Sequence, residues 1–310
     1  MGSTSVQAES GSAPEGGRVA VITGGNSGFG REIAMALAQR GDQAVATFRG
    51  SKGGFEAAAA DLERRSSGVG TVIASVPMDV TDEDSVRSGI DQILARTGRI
   101  DILVNCAGYG LLGPMECTTV DQVRDVFEVN ILGTMRVAQA VVPVMREQGG
   151  GIILNVGSDV GVRANFYQSA YAASKFAVHG LTQSMRWELQ MFGIKVAVID
   201  PGWYGTEFGE SLVTTFESGA VSALYEQQIK AWNEGVGRVE GPNDDPSEVA
   251  NLVLQVVDTP EPSFLNAAGW NDVRMAGFNP DEVDEYERRL FDYYGLAAFR
   301  GTWARGDQDA

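Results

Sequence analysis

The sequence predicts an α/β protein built as one doubly wound, seven-stranded parallel sheet with helices on both faces, a single domain. Three observations carry this. Short β-branched apolar runs alternate with stretches of helical periodicity along most of the chain. Several of those runs, such as ILVN, IILNV and VAVID, are apolar or nearly so at successive positions, as strands covered by helices on both faces must be. The first run ends in a glycine-rich turn that opens directly into a helix.

Taken in order, residues 1–16 (MGSTSVQAESGSAPEG) contain neither a basic start nor an apolar run, so they read as a flexible polar tail and not as a signal peptide. Strands are expected over Arg18–Thr23, Ala44–Phe48, Thr71–Val76, Ile102–Asn105, Gly151–Val156, Lys195–Asp200 and Ser263–Asn266, with helices between nearly all of them. The single catalytic domain is expected over 17–300. Residues 203–246 break the rhythm: Trp203, Tyr204, Phe208, Leu212, Phe216, Leu224, Tyr225 and Trp232 are scattered through polar sequence. This reads either as a substrate-covering insertion or as ordinary packing of a helical excursion. Its place after the sixth strand favours the first, because ligands of open α/β sheets sit at the carboxyl ends of strands. A helix is expected over Asp281–Tyr294, followed by a loose tail at 301–310.

Composition bounds the function. The 310 residues are 44% hydrophobic and 21% charged, enough apolar material for a large core. A net charge of −17 with no Lys/Arg-rich run opposes binding to nucleic acid or to an anionic membrane surface. No run of eighteen apolar residues occurs, so no spanning helix is expected. Two cysteines, Cys106 and Cys117, give little support for a disulfide framework or a metal cluster and suit a reducing cytoplasm.

The loop Thr23-Gly24-Gly25-Asn26-Ser27-Gly28-Phe29-Gly30 follows the first strand and opens a helix. Glycines allow a tight turn and close approach of the backbone to a pyrophosphate, and the helix N-terminus offers free N–H groups. The spacing is G-x-x-x-G-x-G, and a lone glycine pattern means little in a chain with 39 glycines. Its position between strand and helix favours a dinucleotide site over a mere turn. About twenty residues on, where NAD-binding enzymes place an acid, the second strand ends Thr47-Phe48-Arg49. A guanidinium there suits a 2′-phosphate, which favours NADP(H) over NAD(H); the alternative is a solvated surface arginine.

Only four of the twenty-four basic residues are lysines, and one of them, Lys175, lies in a mostly apolar helix four residues after Tyr171. That spacing puts both side chains on one helix face. A nearby ammonium favours the phenolate and would move a phenol toward useful acid/base range. The fifth strand ends Asn155-Val156-Gly157-Ser158, so Ser158 is expected at the mouth of the sheet beside the helix that begins near Ser169.

From Arg18 to about Ala268 the chain resembles the short-chain dehydrogenase/reductase family in its shorter, single-domain, steroid dehydrogenase/ketoreductase-like branch. The resemblance rests on TGGNSGFG at 23–30, DV at 79–80, NCAG at 105–108, Asn130, Ser158, YAASK at 171–175 and PGWYGT at 201–206. It implies a Rossmann-type sheet and a catalytic set of Ser158, Tyr171, Lys175 and Asn130. Tyr171 would protonate the carbonyl oxygen as hydride arrives from the nicotinamide, and Ser158 would hydrogen-bond that oxygen. Lys175 would hold the nicotinamide ribose and lower the Tyr171 pKa, and Asn130 would support Lys175 through a water relay. The cofactor would meet Gly24, Asn26, Ser27, Gly28, Phe29 and Gly30 in the loop, and Arg49, Asp79, Val80, Asn105, Ala107 and Gly108 at the strand ends. Tyr171, Lys175, Pro201, Gly202 and Thr206 complete that set. Within it, Asp79 would meet the adenine, Asn105 would stabilise the central sheet and Thr206 would contact the carboxamide.

Two positions depart from the family pattern: Cys106 stands in the usual N-N-A-G, and Gly157 precedes the serine where serine is frequent. Cys106 reads as a small buried residue lining the cleft, or alternatively as a reactive thiol. The sole histidine, His179, reads as structural, without a paired carboxylate signal nearby. Helices around Val120–Met145 and Tyr171–Phe192 carry apolar residues on more than one face, including Phe176, Leu181, Met185 and Trp187, implying burial on both sides; the family resemblance, whose members often pair through these helices, implies a homodimer or homotetramer. The expected activity is reduction of a bulky, fairly apolar ketone, or oxidation of the matching alcohol. A redox-neutral epimerase or dehydratase of the same fold, and a cofactor-sensing binding protein without turnover, remain as alternatives.

Overall fold

The computed structural model describes residues 17–49, 54–215, 225–232, 234–235, 245–269 and 292. Among these, seven parallel strands form one sheet: β1 (Val19–Thr23), β2 (Gln43–Phe48), β3 (Ala74–Pro77), β4 (Ile102–Asn105), β6 (Gly151–Val156), β7 (Ile194–Pro201) and β9 (Leu265–Ala268), in the order β3-β2-β1-β4-β6-β7-β9. The chain winds outward from β1 in one direction and then, from β4, in the other. The switch between β1 and β4 is where such sheets take their ligands.

Successive strand residues feed two cores. Ala20, Ile22 and Val104 pack with Ile33 and Leu37 of α1 (Gly28–Gln39), Leu62 of α2 (Phe55–Gly68), and Val249 and Val253 of a helix over Ser247–Asp258, here α8. On the other face Val21, Leu103 and Ile153 pack with Ile93 of α3 (Glu83–Thr97), Val137 and Val141 of α5 (Thr134–Gln148), and Met185 of α6 (Ser169–Leu189). Each such side chain contributes about 1.5–3 kcal/mol by leaving water, which is why the strands tolerate so few polar residues.

The exceptions are placed. Asn105 Nδ2 donates to Asn155 Oδ1 at 2.9 Å, Asn155 Nδ2 donates to Thr182 Oγ1 at 2.9 Å, and Thr182 Oγ1 donates to the Val178 carbonyl at 2.6 Å. This buried chain ties β4 and β6 to α6 and so fixes the helix that carries Tyr171 and Lys175. Between α4 (Val120–Phe127) and α5 the helix widens into a π-turn over Glu128–Gly133 with Asn130 buried inside it, a distortion common where a helix serves a site.

Two strands are bounded more than one residue away from expectation at an end, and three others differ by a single residue at one or both ends. The third strand starts at Ala74 and not Thr71, because Thr71 N–H and Oγ1 both bond the Ser66 carbonyl and so finish α2. The last strand is Leu265–Ala268 and not 263–266, its register set by pairing of Val198 with Leu265 and Pro201 with Ala268. A short parallel pair, β5 (Leu111–Leu112) with β8 (Val213–Thr214), was not expected; it pins the start of the 203–246 stretch to the loop after β4. Phe216 and Leu224 of that stretch, the 1–16 and 301–310 tails and, but for residue 292, the helix expected over 281–294 lie outside the described residues.

Burial of α6 on both sides is not found among the described residues. Met185 is buried, but Phe176 is 42% and Trp187 61% exposed, and Leu132 and Met135 near the start of α5 are also exposed. The sheet lies on one side of these helices only. No helix among the described residues is long and apolar enough to cross a membrane.

Candidate active site

The site is built from the ends of β1, β4, β6 and β7 and the first turns of α1 and α6. At the switch point Thr23 Oγ1 accepts the N–H groups of both Cys106 and Ala107, each at 3.0 Å. This draws the glycine loop against the end of β4. Gly24 adopts φ +65°, and a Cβ there would lie 3.0 Å from Ala107 Cα; one on Gly30 would lie 2.3 Å from the Gly24 carbonyl oxygen. Only glycine fits this close approach of helix, turn and strand.

Ser27 is the exposed N-cap of α1 and Asn26 is half-buried beside it. The N–H of Gly28 donates to Glu207 Oε2 at 3.1 Å, and Arg31 Nη2 lies 2.7 Å from Glu207 Oε1. Burial pushes the Glu207 carboxyl up, but the hydrogen bonds of its own N–H, Arg31 and Gly28 hold it below its usual range. An anionic oxygen at the N-terminus of α1 is the chemistry that a cofactor diphosphate requires of this place, so the loop fits the group. Glu207 follows Thr206 directly and was missed by sequence reasoning, which had no means of folding it back onto Gly28.

The remaining expected cofactor positions lie along the same rim. Arg49 is exposed at the end of β2 and its charge acts on Asp79. Asp79 is half-buried, with Oδ1 accepting Thr81 N–H at 2.9 Å and Thr81 Oγ1 at 2.7 Å. Val80 is buried against Gly133, where a Cβ would come within 2.7 Å of it. Gly108 packs on the Asn130 carboxamide, Pro201 ends β7, and Gly202 N–H bonds the Ala268 carbonyl at 2.8 Å. Thr206 Oγ1 accepts Phe208 N–H at 3.3 Å.

Ser158, Tyr171 and Lys175 meet in one cleft. Tyr171, 8% exposed, lines the cleft with Ser158, and Ser158 Oγ donates to Asp159 Oδ1 at 3.0 Å. Lys175 Nζ donates to the Val156 carbonyl at 2.9 Å, and Asn130 holds the backbone of Tyr109 and donates to Ser174 Oγ at 3.0 Å. The expected lowering of the Tyr171 pKa by Lys175 is not present: burial pushes the phenol above its ordinary value, Asp159, Asp200 and Cys106 add to this, and the Ser158 hydroxyl only partly offsets it. Burial likewise pushes Lys175 down to about 8. The Cys106 thiol is pushed up to about 11, again by burial, so it carries thiol and not thiolate at neutral pH and fits the lining role rather than the reactive one.

His179 is structural, as expected, but it does have a carboxylate partner. Its Nε2 lies 2.9 Å from Oδ1 of Asp200, which is fully buried near the end of β7. The two residues are 21 apart in sequence on different elements, so no local pattern marks the pair. It also accounts for the departure at Gly157. A Cβ on Gly157 would lie 2.0 Å from Asp200 Oδ1 and 2.8 Å from His179 Nε2, and one on Gly161 would lie 2.9 Å from the same nitrogen.

The beginning of the 203–246 stretch contributes to the lining of the cleft. Trp203, Phe208 and Leu212 line it, and the Phe208 ring lies 5.9 Å from that of Tyr171. Tyr204 is buried against Phe29, with ring centroids 5.4 Å apart, and its hydroxyl donates to Glu248 Oε2 at 3.0 Å. Trp232 packs edge-on against Tyr167, and Tyr225 reaches Glu116. Asp159 and Gln168 also line the cleft, and sequence reasoning named neither.

The short chain dehydrogenase family pattern matches residues 18–216 of the chain. A 3-ketodihydrosphingosine reductase of Bacteroides thetaiotaomicron is 30% identical over 283 residues, covering 88% of this chain and 97% of that protein. The crystal structure of a short-chain dehydrogenase from Streptomyces avermitilis superposes with a TM-score of 0.73 at 30% identity, covering 93% of this chain and 99% of the other. That of a variant of actinorhodin polyketide ketoreductase with NADPH does so with a TM-score of 0.69 at 27% identity, covering 83% and 97%.

The glycine at 157 can be tested directly. Gly157→Ala is expected to cost about 3 kcal/mol, because the methyl group displaces a buried hydrogen-bonded pair, His179 and Asp200, held by two regular elements. Urea denaturation measures it; an unchanged midpoint would mean that the space around His179 has slack.

Proposed function

The chain belongs to the short chain dehydrogenase family, an oxidoreductase fold that binds a nicotinamide cofactor and acts on alcohol and carbonyl groups, and on that premise we propose that it reduces a bulky, fairly apolar ketone with NADP(H), or oxidises the matching secondary alcohol, with Tyr171 as general acid/base. The observation that carries the reading is the meeting of Ser158, Tyr171 and Lys175 in the aromatic-covered cleft beside the glycine loop.

The nicotinamide, when bound, supplies or accepts the hydride. The rest falls to the chain's own groups. Tyr171 keeps its proton at neutral pH because burial raises its pKa, which makes it the acid that protonates the carbonyl oxygen in the reductive direction. Ser158 hydrogen-bonds the same oxygen and fixes it before Tyr171. Lys175, still largely charged below about pH 8, holds the cofactor ribose, and Asn130 supports it. Trp203, Phe208 and Leu212 exclude water and give the cleft its preference for apolar substrate.

The NADP(H) preference is supported by Arg49, exposed on the rim with no acid in its place and in no ion pair among the described residues. The ketoreductase relative was crystallised with NADPH. A bulky substrate agrees with the names of the relatives. Exposed Leu132, Met135, Phe176 and Trp187 support a homodimer or homotetramer closing over α5 and α6. The free cysteines Cys106 and Cys117 suit a cytoplasmic enzyme.

Three measurements test these statements. Tyr171→Phe is expected to lower ketone turnover by about 10²–10⁴-fold while NADPH binding, followed by its fluorescence, persists; undiminished turnover rejects the role. Arg49→Asp should weaken NADPH binding by about tenfold and improve the use of NADH, and equal NADPH affinity in mutant and parent would sink the assignment. Light scattering at working concentration should give two or four chains per particle; a monomer excludes the assembly.

A further inference from the structure

The turn that carries Ser158 rests on the pair formed by His179 and Asp200. It leaves β6 after Val156 and closes in a 3-10 turn over Asp159–Gly161, with Ser158 as N-cap. Gly157 N–H donates to the Ile199 carbonyl of β7, and Gly161 N–H donates to the Ser158 carbonyl, both at 2.8 Å. A Cβ on Gly157 would run into Asp200 Oδ1 and His179 Nε2, and one on Gly161 would lie 2.9 Å from the same Nε2 and 3.0 Å from His179 Cδ2. The edge of the imidazole therefore bears on both ends of the turn, with Ser158 between them. His179 stands on α6 four residues after Lys175 and eight after Tyr171, on their face of the helix. Asp200 directly precedes Pro201 and Gly202, which line the cleft. One hydrogen-bonded pair thus joins the Ser158 turn, α6 and the end of β7.

The ionisable groups around Asp200 are His179, Lys175 and Tyr171 from α6 and Asp159 from the Ser158 turn; Cys106, after β4, also acts on Lys175 and Tyr171. Phe264, edge-on to the imidazole at 6.4 Å, brings no charge. Burial pushes the Asp200 carboxyl up and Asp159 adds to this, while the His179 hydrogen bond leads the contacts that oppose it, ahead of the charges of His179 and Lys175. Ionised Asp200 in turn opposes the burial that pushes Lys175 down to about 8. Cys106 acts on Lys175 in the same sense, but as a thiol at neutral pH it brings no charge there. Asp200 also adds to the burial that raises Tyr171. Both effects favour the forms that reduction uses, a phenol with its proton and an ammonium.

We propose that His179 and Asp200 act together as positioning residues of the reduction: the hydrogen-bonded pair wedges the Ser158 turn in place beside Tyr171 and sets a carboxylate near Tyr171 and Lys175. The inference rests on the reading of Ser158, Tyr171 and Lys175 as the proton-transfer set and adds two residues that touch no reacting atom. His179 keeps Asp200 ionised, and Asp200 keeps Lys175 charged. Without the imidazole the glycine-flanked turn has room to sink between α6 and β7, which draws the Ser158 hydroxyl away from the carbonyl oxygen.

The test reads Lys175 directly. Only four lysines occur, Lys52, Lys175, Lys195 and Lys230, so in the full chain isotope-labelled at lysine Cε the magnetic resonance signal missing from Lys175→Met is followed against pH. Its midpoint in the parent is expected near about 8. Asp200→Asn keeps the shape and an acceptor oxygen but not the charge, and should lower that midpoint by about one pH unit. His179→Leu should lower it similarly, whereas His179→Gln, which retains a donor, should hold the parent's value. With NADPH and a panel of apolar ketones, the upper limb of kcat/KM against pH should move down with the midpoint, because Lys175 then loses its proton at lower pH. At about pH 6, where Lys175 is charged in every variant, His179→Leu should lower kcat about tenfold with NADPH affinity kept, because it alone removes the wedge.

An unmoved midpoint in Asp200→Asn overturns the proposal, and that variant is nearly isosteric, so the decision stands even where His179→Leu does not fold. A midpoint in His179→Gln as low as in His179→Leu overturns the part given to the hydrogen bond. Equal kcat in His179→Leu and parent at the lower pH overturns the wedge, and a limb of kcat/KM that stays while the midpoint moves overturns the link to the reaction. A parent that reduces no ketone of the panel, with midpoints that move as stated, keeps the hold of the pair on Lys175 and rejects the ketone-reductase reading instead.

Discussion

Thr23 Oγ1 accepts two backbone N–H groups from the end of β4, and the arrangement of the site depends on that clamp. It sits where the winding of the sheet reverses, so the ends of β1 and β4 would otherwise diverge into separate loops. With them held together, the glycine loop lies against Ala107, and the N-terminus of α1 faces the same opening as the ends of β6 and β7. Apolar cores on both faces of the sheet leave polar side chains few places to gather except this rim. Binding and chemistry share one edge because the rest of the sheet is covered.

The second determinant is the buried amide chain from Asn105 through Asn155 to Thr182. It replaces apolar packing at the centre of the sheet with directional contacts. Apolar side chains slide at little cost, whereas a hydrogen-bonded amide fixes the rotation and height of the helix above it. Tyr171 and Lys175 inherit that placement.

Much of this was legible in the sequence because it is local. Strands buried on both faces announce themselves as continuous apolar runs, and the spacing of Tyr171 and Lys175 needs only the helical repeat. Ser158 follows from its place at the end of a strand. What was not legible depends on residues distant in the chain. The pairing of His179 with Asp200 joins a helix to a strand, the contact of Glu207 with Gly28 folds a late loop onto the first helix, and β5 pairs with β8 across a hundred residues of chain. The Tyr171 pKa departed from expectation for the same reason: spacing fixes the ammonium's distance along the helix, but burial by several other elements sets the dominant effect. Phe176 and Trp187 read as buried because periodicity records that a surface is apolar without recording what covers it.

The space around Gly157 also bears on how this chain could change over generations. Serine is frequent at that position in the family, yet here the volume of its Cβ is taken by Asp200 and His179. A lineage carrying this pair cannot acquire the common residue in one step, since the first change alone removes the room that the pair occupies. In this chain the three positions share one volume, so a replacement at 157 is informative only when 179 and 200 are compared with it.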